Sequence, residues 1–255
     1  MNLNVIAEAD TAALCMGKRR CYGISHKGLQ RSTNEDRHLL KAMAGNGILM
    51  AVADGLGDEP ACNNAAEIVK QSLADVEEIP AEHEEIALKK LAQRIDCAIY
   101  TEGLRRPGAE GMGSTLLAVL VRDGVAHWVH VGDSRLYLYR NGSLRQVTED
   151  QTLARFLVAE MEITPEQALT HYSRNVMDQC VGCGFARPET GTLQIQPHDL
   201  LILSTDGLHM QIGHSTFSAI VGASTDINGK ADALIRAALG AGGPDNITVV
   251  LMGTH

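Results

Sequence analysis

Residues 48–53 of this chain, ILMAVA, are apolar without a break and stop abruptly at Asp54-Gly55. An unbroken apolar run of this length suits a strand buried on both faces, which demands a layer of structure on each side of its sheet. A carboxylate at the end of such a run is costly to bury unless it is paired or binds a cation. The glycine after it lets the backbone turn sharply. A single Asp-Gly is ordinarily a turn, but the pattern returns at residues 200–207, LLILSTDG, which end in Asp206-Gly207.

Three more acidic positions sit at strand ends or entrances. VHVGDS places Asp133 at the end of a third run, and Pro244-Asp245-Asn246 leads into the strand-like ITVVLM. Glu35 and Asp36 follow Arg31 closely near the N-terminus. If the strands bring these ends to one rim, the carboxylates form an all-oxygen cage for hard divalent cations.

Composition narrows the function classes. The chain has 255 residues, 45% of them hydrophobic, and a net charge of −9. Its nine aromatic residues are too few for a base-stacking platform, and its Lys and Arg are scattered, so nucleic-acid binding is disfavoured. The N-terminus lacks the charged-then-apolar order of a signal peptide, and no apolar run approaches a membrane span. Six cysteines without framework spacing suggest reduced thiols in a cytoplasmic protein. Cys180 and Cys183 are the one pair at metal or redox spacing, and nothing nearby completes a zinc site.

Residues 1–20 read as a loosely held extension ahead of one domain spanning 21–255. Strands are expected at 21–25, 37–43 and 47–53. Pro60 suits the first turn of a helix, with Asp58 and Glu59 before it. Ala65, Ile68, Val69, Leu73 and Val76 then keep helical spacing. A second helix over 81–104 buries Leu88, Leu91, Ile95 and Ile99. Asp123-Gly124 and Asn141-Gly142 are tight hairpin turns between strands at 114–121, 125–131 and 136–140, and they require antiparallel pairing. Residues 148–184 turn helical. Strands resume at 191–195 and 200–204, a helix is expected at 232–239, and 247–252 closes the sheet. The predicted class is α+β, an antiparallel β-sandwich with helices on both outer faces.

Six short motifs occur in order: Arg31-Ser-Thr-Asn-Glu35-Asp36, Val52-Ala-Asp54-Gly55, Gly111-Met-Gly-Ser-Thr115, His130-Val-Gly-Asp133-Ser-Arg135, Ser204-Thr-Asp206-Gly207 and Gly243-Pro-Asp245-Asn246. With them the chain resembles the metal-dependent protein phosphatases, the PPM or type 2C serine/threonine phosphatases, in their bacterial form. The resemblance implies an α-β-β-α sandwich and a water activated by a binuclear Mn²⁺ or Mg²⁺ centre. It implies that Asp54 bridges two ions, that Asp206 and Asp245 complete one site, and that Glu35 and the Gly55 carbonyl serve the other. Asp36 would hold the water at the metals, Asp133 with Asp206 would take a third ion, and residues 150–175 would form a flap.

Arg31 offers a planar fork for phosphate oxygens. Many eukaryotic members of the family carry a histidine directly after the Asp-Gly; here Leu56 stands there, so that general acid is missing. The expected substrates are phosphoserine and phosphothreonine proteins of a cytoplasmic kinase, acted on by a monomer, away from nucleic acid and membrane. A non-catalytic binding relative and a two-metal hydrolase of small phosphoesters are the alternatives.

Overall fold

The run that ends at Asp54 does form a strand, and both of its faces are covered. This is seen in a computed structural model that describes residues 8–56, 64–109 and 111–254. Strands β1 (Asp10–Met16), β2 (Arg19–His26), β3 (Arg37–Met43) and β4 (Gly47–Ala53) open the fold. The short pair β5 (Gly55–Leu56) and β6 (Gly113–Ser114) brackets helices α1 (Ala65–Ala74) and α2 (Glu84–Arg105). Two hairpins follow, one in each sheet: β7 (Leu116–Arg122) with β8 (Val125–Val131), and β9 (Arg135–Arg140) with β10 (Ser143–Gln146). Short helices α3 (Leu153–Ala159) and α4 (Pro165–Ala168) lead to β11 (Glu189–Gln194) and β12 (Leu200–Ser204). Helices α5 (Asp206–His209), α6 (His214–Gly222) and α7 (Ile227–Gly240) precede β13 (Ile247–Thr254).

The strands form two antiparallel sheets, ordered β1-β2-β13-β12-β9-β10 and β11-β8-β7-β4-β3. Ile48, Met50 and Val52 of β4 point between the sheets and meet Leu201, Leu203, Val250 and Met252 in one buried cluster. Leu49, Ala51 and Ala53 point the other way, onto Val69, Leu73, Ile95 and Ile99 of α1 and α2. On the far side Ile202, Val249 and Leu251 pack against Leu234, Ile235 and Ala238 of α7. Strict alternation thus feeds two cores from one strand, giving the expected α-β-β-α layers. Both hairpins occur as expected: Asp123 and Gly124 have φ of 49° and 78°, and Asn141 and Gly142 of 50° and 80°.

Several boundaries differ from expectation. Residues 10–16 are not a loose extension but an edge strand, paired residue for residue with β2. Ala12, Leu14 and Met16 alternate with exposed neighbours, and Leu14 and Met16 pack on the inter-sheet core. Residues 148–184 contain only short helices, α3 capped by the Thr152 side chain and α4 closed by a capping box at Thr164 and Gln167. Helix α6 was not expected, and β10 is the short partner strand that the Asn141-Gly142 hairpin required. Asp58, Glu59 and Pro60 lie outside the described residues. Among the described residues no helix is long and apolar enough to cross a membrane.

Candidate active site

Register brings the acidic positions to one end of the sandwich. Arg37 at the start of β3 pairs with Ala53 at the end of β4, and Leu116 at the start of β7 pairs with Val131 at the end of β8. In the other sheet Ser204, ending β12, pairs with Arg135 on one side and Val249 on the other. Asp36, Asp54, Asp133, Asp206 and Asp245 therefore all leave the strands at the same rim.

Polar side chains fasten that rim. Thr205 Oγ1 donates to Asp36 Oδ2 at 2.8 Å and accepts from the Thr248 amide at 3.1 Å. Asn246 donates to the carbonyls of Lys27 (2.8 Å) and Thr33 (2.9 Å) and accepts from the Glu35 amide at 2.8 Å. One amide side chain thus holds the loop that carries Arg31, Glu35 and Asp36. The loops approach so closely that a Cβ at Gly207 would stand 1.9 Å from the Asn246 carbonyl. At Gly55 a Cβ would meet the Glu35 carbonyl at 3.0 Å, which packs those two predicted site residues against each other.

The crowding shows in the protonation equilibria. Burial, joined by Asp206 and Asp245, raises Asp36 to about 7. Asp54 is pushed well above the ordinary carboxylate value by burial first, then by Asp36, Asp206, Asp133 and Asp245. Asp133 is raised to about 7 by burial and by Asp206 and Asp150. Asp206 is raised by burial first and then by Asp245. Arg31 offsets part of this charge through an ion pair with Asp245 at 2.9 Å, while half of its side chain stays exposed.

Every carboxylate predicted for the rim is therefore present there. Glu35 lies beside them, its Oε1 accepting from Thr33 Oγ1 at 3.2 Å. The donors fit hard cations: all are oxygens, and two of them, Asp36 Oδ1 and Asp206 Oδ1, are buried with no hydrogen-bond partner. Among the described residues no three His, Cys, Asp or Glu side chains converge on one point as a ready-made ligand set. The fit rests on the shared charge and the orphaned oxygens.

Some of the machinery was not singled out from sequence. Arg135 forks onto Asp150 through bonds of 2.8 and 2.6 Å, tying the base of residues 150–175 to the strand after Asp133. Gln151 accepts from the Gly132 amide and donates its own amide to the Gly132 carbonyl, each at 2.8 Å. Arg135 lay within a quoted motif, but its partner is 15 residues away in sequence and had no signature.

Three comparisons with known proteins bear on this site. The family profile described as protein phosphatase 2C matches residues 23–240. The serine/threonine protein phosphatase PstP of Mycobacterium tuberculosis is 34% identical over 228 residues, 89% of this chain. The chain spans only 43% of that relative's length. The serine/threonine phosphatase stp of Listeria monocytogenes is 32% identical over 232 residues, covering 89% of this chain and 92% of the relative. A solved structure of the PstP catalytic domain in complex with two manganese ions superposes with a TM-score of 0.80 at 32% identity, covering 92% of this chain and 97% of that one.

Proposed function

Because the chain belongs to the protein phosphatase 2C family, we propose that it is a serine/threonine protein phosphatase whose acidic rim holds two Mn²⁺ or Mg²⁺ ions. The observation that carries this reading is the gathering of Asp36, Asp54, Asp133, Asp206 and Asp245 at one end of the sandwich, with Asp36 Oδ1 and Asp206 Oδ1 buried and unpartnered. Burying so much like charge is unfavourable unless a cation shares it. The manganese pair bound by the PstP catalytic domain supports the same assignment.

Asp54 is the residue for both ions, the role that the family resemblance gives it, and the other rim aspartates lie close enough to act on it. Asp206 and Asp245 serve one ion, and Glu35 with the Gly55 carbonyl serves the other. Asp133, facing Asp206, suits a third. When bound, such a pair supplies an activated water and neutralises charge in an in-line phosphoryl displacement.

The remaining work falls to the chain. Arg31 presents its exposed guanidinium to phosphate oxygens while Asp245 fixes its near side. Asp36, held in place by the Thr205 hydroxyl at 2.8 Å, orients the attacking water. Leu56, where a histidine would stand in many eukaryotic members, offers no proton to the leaving group. The substrates are phosphoserine and phosphothreonine proteins, set against a protein kinase.

Hydrolysis of phosphopeptides and of nucleotides by chelated and manganese-restored protein tests this reading. Phosphopeptide turnover that returns only with metal supports it. Turnover of nucleotides alone points to a small-phosphoester hydrolase, and no turnover of either points to a binding relative.

A further inference from the structure

Cys180 and Cys183 flank a turn whose backbone belongs to the scaffold of the acidic rim. Between them Val181 exchanges two main-chain hydrogen bonds with Ser114, each 2.9 Å long. Ser114 Oγ lies 2.9 Å from the Asp54 carbonyl, and the Thr115 amide donates to the same oxygen at 2.9 Å. The dithiol is therefore two hydrogen-bonded steps from the residue assigned to both ions.

The turn is rigidly built. Asp96 of α2, 5% exposed, accepts from the amides of Gly182 (2.6 Å), Gly184 (3.0 Å) and Ala186 (3.1 Å). Gly182 has φ of 112°, and a Cβ there would meet the Met112 carbonyl at 2.5 Å, so only glycine fits. This geometry directs the two cysteines toward each other. Cys183 Sγ donates to the Cys180 carbonyl at 3.1 Å. Cys180 Sγ also stands 3.1 Å from where a Cβ would sit on Gly113, the neighbour of Ser114. Both thiols are free and partly accessible. Among the described residues no third donor joins them, which speaks for oxidation rather than metal binding at this turn.

We propose that Cys180 and Cys183 close a reversible disulfide under a peroxide, and that the closed form weakens cation binding at Asp54. The second half of this statement rests on the metal reading above. The Cys183 thiolate attacks one peroxide oxygen: an S–O bond forms, the O–O bond breaks and water leaves after protonation. The Cys180 sulfur then displaces the hydroxyl from the Cys183 sulfur, forming S–S and releasing a second water. Two thiols lose two electrons, the peroxide gains them, and both thiol protons end in water. Closure removes the Cys183 thiol from the Cys180 carbonyl and draws the sulfurs to about 2.05 Å. Asp96 clamps the far side of the turn, so the adjustment falls on Cys180 and Val181. From there it passes through Ser114 to the Asp54 carbonyl and to Gly55.

The test uses the full chain with Cys15, Cys62 and Cys97 replaced by serine, leaving buried Cys21 and the pair. Protein treated with hydrogen peroxide is mapped by mass spectrometry, and manganese binding is measured by calorimetry before oxidation, after it, and after a dithiol reductant. The expected result is a linked Cys180–Cys183 peptide and a loss of manganese affinity of about tenfold, the scale set by partners of ligating groups, restored on reduction. Cys180→Ser and Cys183→Ser variants, checked for folding by circular dichroism, should bind manganese normally and ignore peroxide. Sulfinic acid without a linked peptide, or a linked peptide with unchanged manganese affinity, overturns the proposal. Phosphopeptide turnover by the reduced protein is read separately. Its absence alongside normal manganese binding defeats the phosphatase reading and leaves the switch standing.

Discussion

Asp54 and Thr115, 61 residues apart, are locked together by a pair of hydrogen bonds. The Asp54 amide donates to Thr115 Oγ1 at 2.9 Å, and the Thr115 amide donates to the Asp54 carbonyl at 2.9 Å. Thr115 Oγ1 also lies 2.8 Å from Ser134 Oγ, next to Asp133. One threonine hydroxyl thus positions two of the acidic loops.

Thr115→Val keeps the shape but deprives the Asp54 amide of its acceptor. A buried donor left unpaired costs about 1–3 kcal/mol, and the loss should appear as a lower urea midpoint. Metal affinity should fall with it, because Asp54 loses its anchor. Thr115→Ser should recover most of both. A valine variant with unchanged midpoint would show that the pair of bonds does not set the rim.

Asp54→Asn should act in opposite directions on activity and stability. Turnover should drop by at least about 10³-fold, the scale of oriented electrostatic groups. Without metal, the same change should raise the melting temperature at neutral pH, since it removes a charge opposed by burial and four neighbouring aspartates. A melting temperature lowered in chelator would contradict the crowding described at the rim.

Asp36 gives a pH signature with a definite sign. Its folded value is raised from 3.8 to about 7, so the folded state holds the proton more tightly than the unfolded one. Its contribution to stability is complete below 3.8 and is lost as pH rises through about 7. The buried imidazole of His130, lowered to about 4, works the other way, losing stability as pH falls from 6.5 toward about 4. Subtraction separates the two. The melting temperature of Asp36→Asn minus that of the metal-free parent should be small in acid and grow through neutrality. A difference independent of pH would remove Asp36 from the account.

How much of this was legible beforehand follows from the range of each interaction. The apolar runs ending at Asp54 and Asp206 carried their burial and their rim position in local pattern, as did the two hairpin turns. Thr115, Thr205 and Asn246 stood inside quoted motifs, yet their roles depend on contacts tens to hundreds of residues away in sequence. No period or turn residue encodes such contacts. Strand β1 was written in the alternation of Ala12, Leu14 and Met16, but exposed Thr11, Ala13 and Cys15 diluted it. Helix α6 begins at Gly213 without a capping side chain and buries only Phe217 and Val221, so it lacked both a start signal and a broad stripe. The Cys180–Cys183 turn depends on Asp96, more than 80 residues earlier.

Arg31→Ala should raise KM for phosphopeptide with little change in kcat, because an exposed guanidinium holds phosphate in ground and transition states alike. Stability should barely move, since its ion pair with Asp245 is half exposed and such pairs contribute about 0–1 kcal/mol. A collapse of kcat at constant KM would place Arg31 in the transition state alone.

The central claim is that Asp54 is shared by two cations. Crystals grown with manganese and measured at its absorption edge test it directly. Two anomalous peaks about 3.5–4 Å apart, both within ligand distance of the Asp54 carboxylate, are the predicted result. A single peak, or a pair that bypasses Asp54, would contradict it.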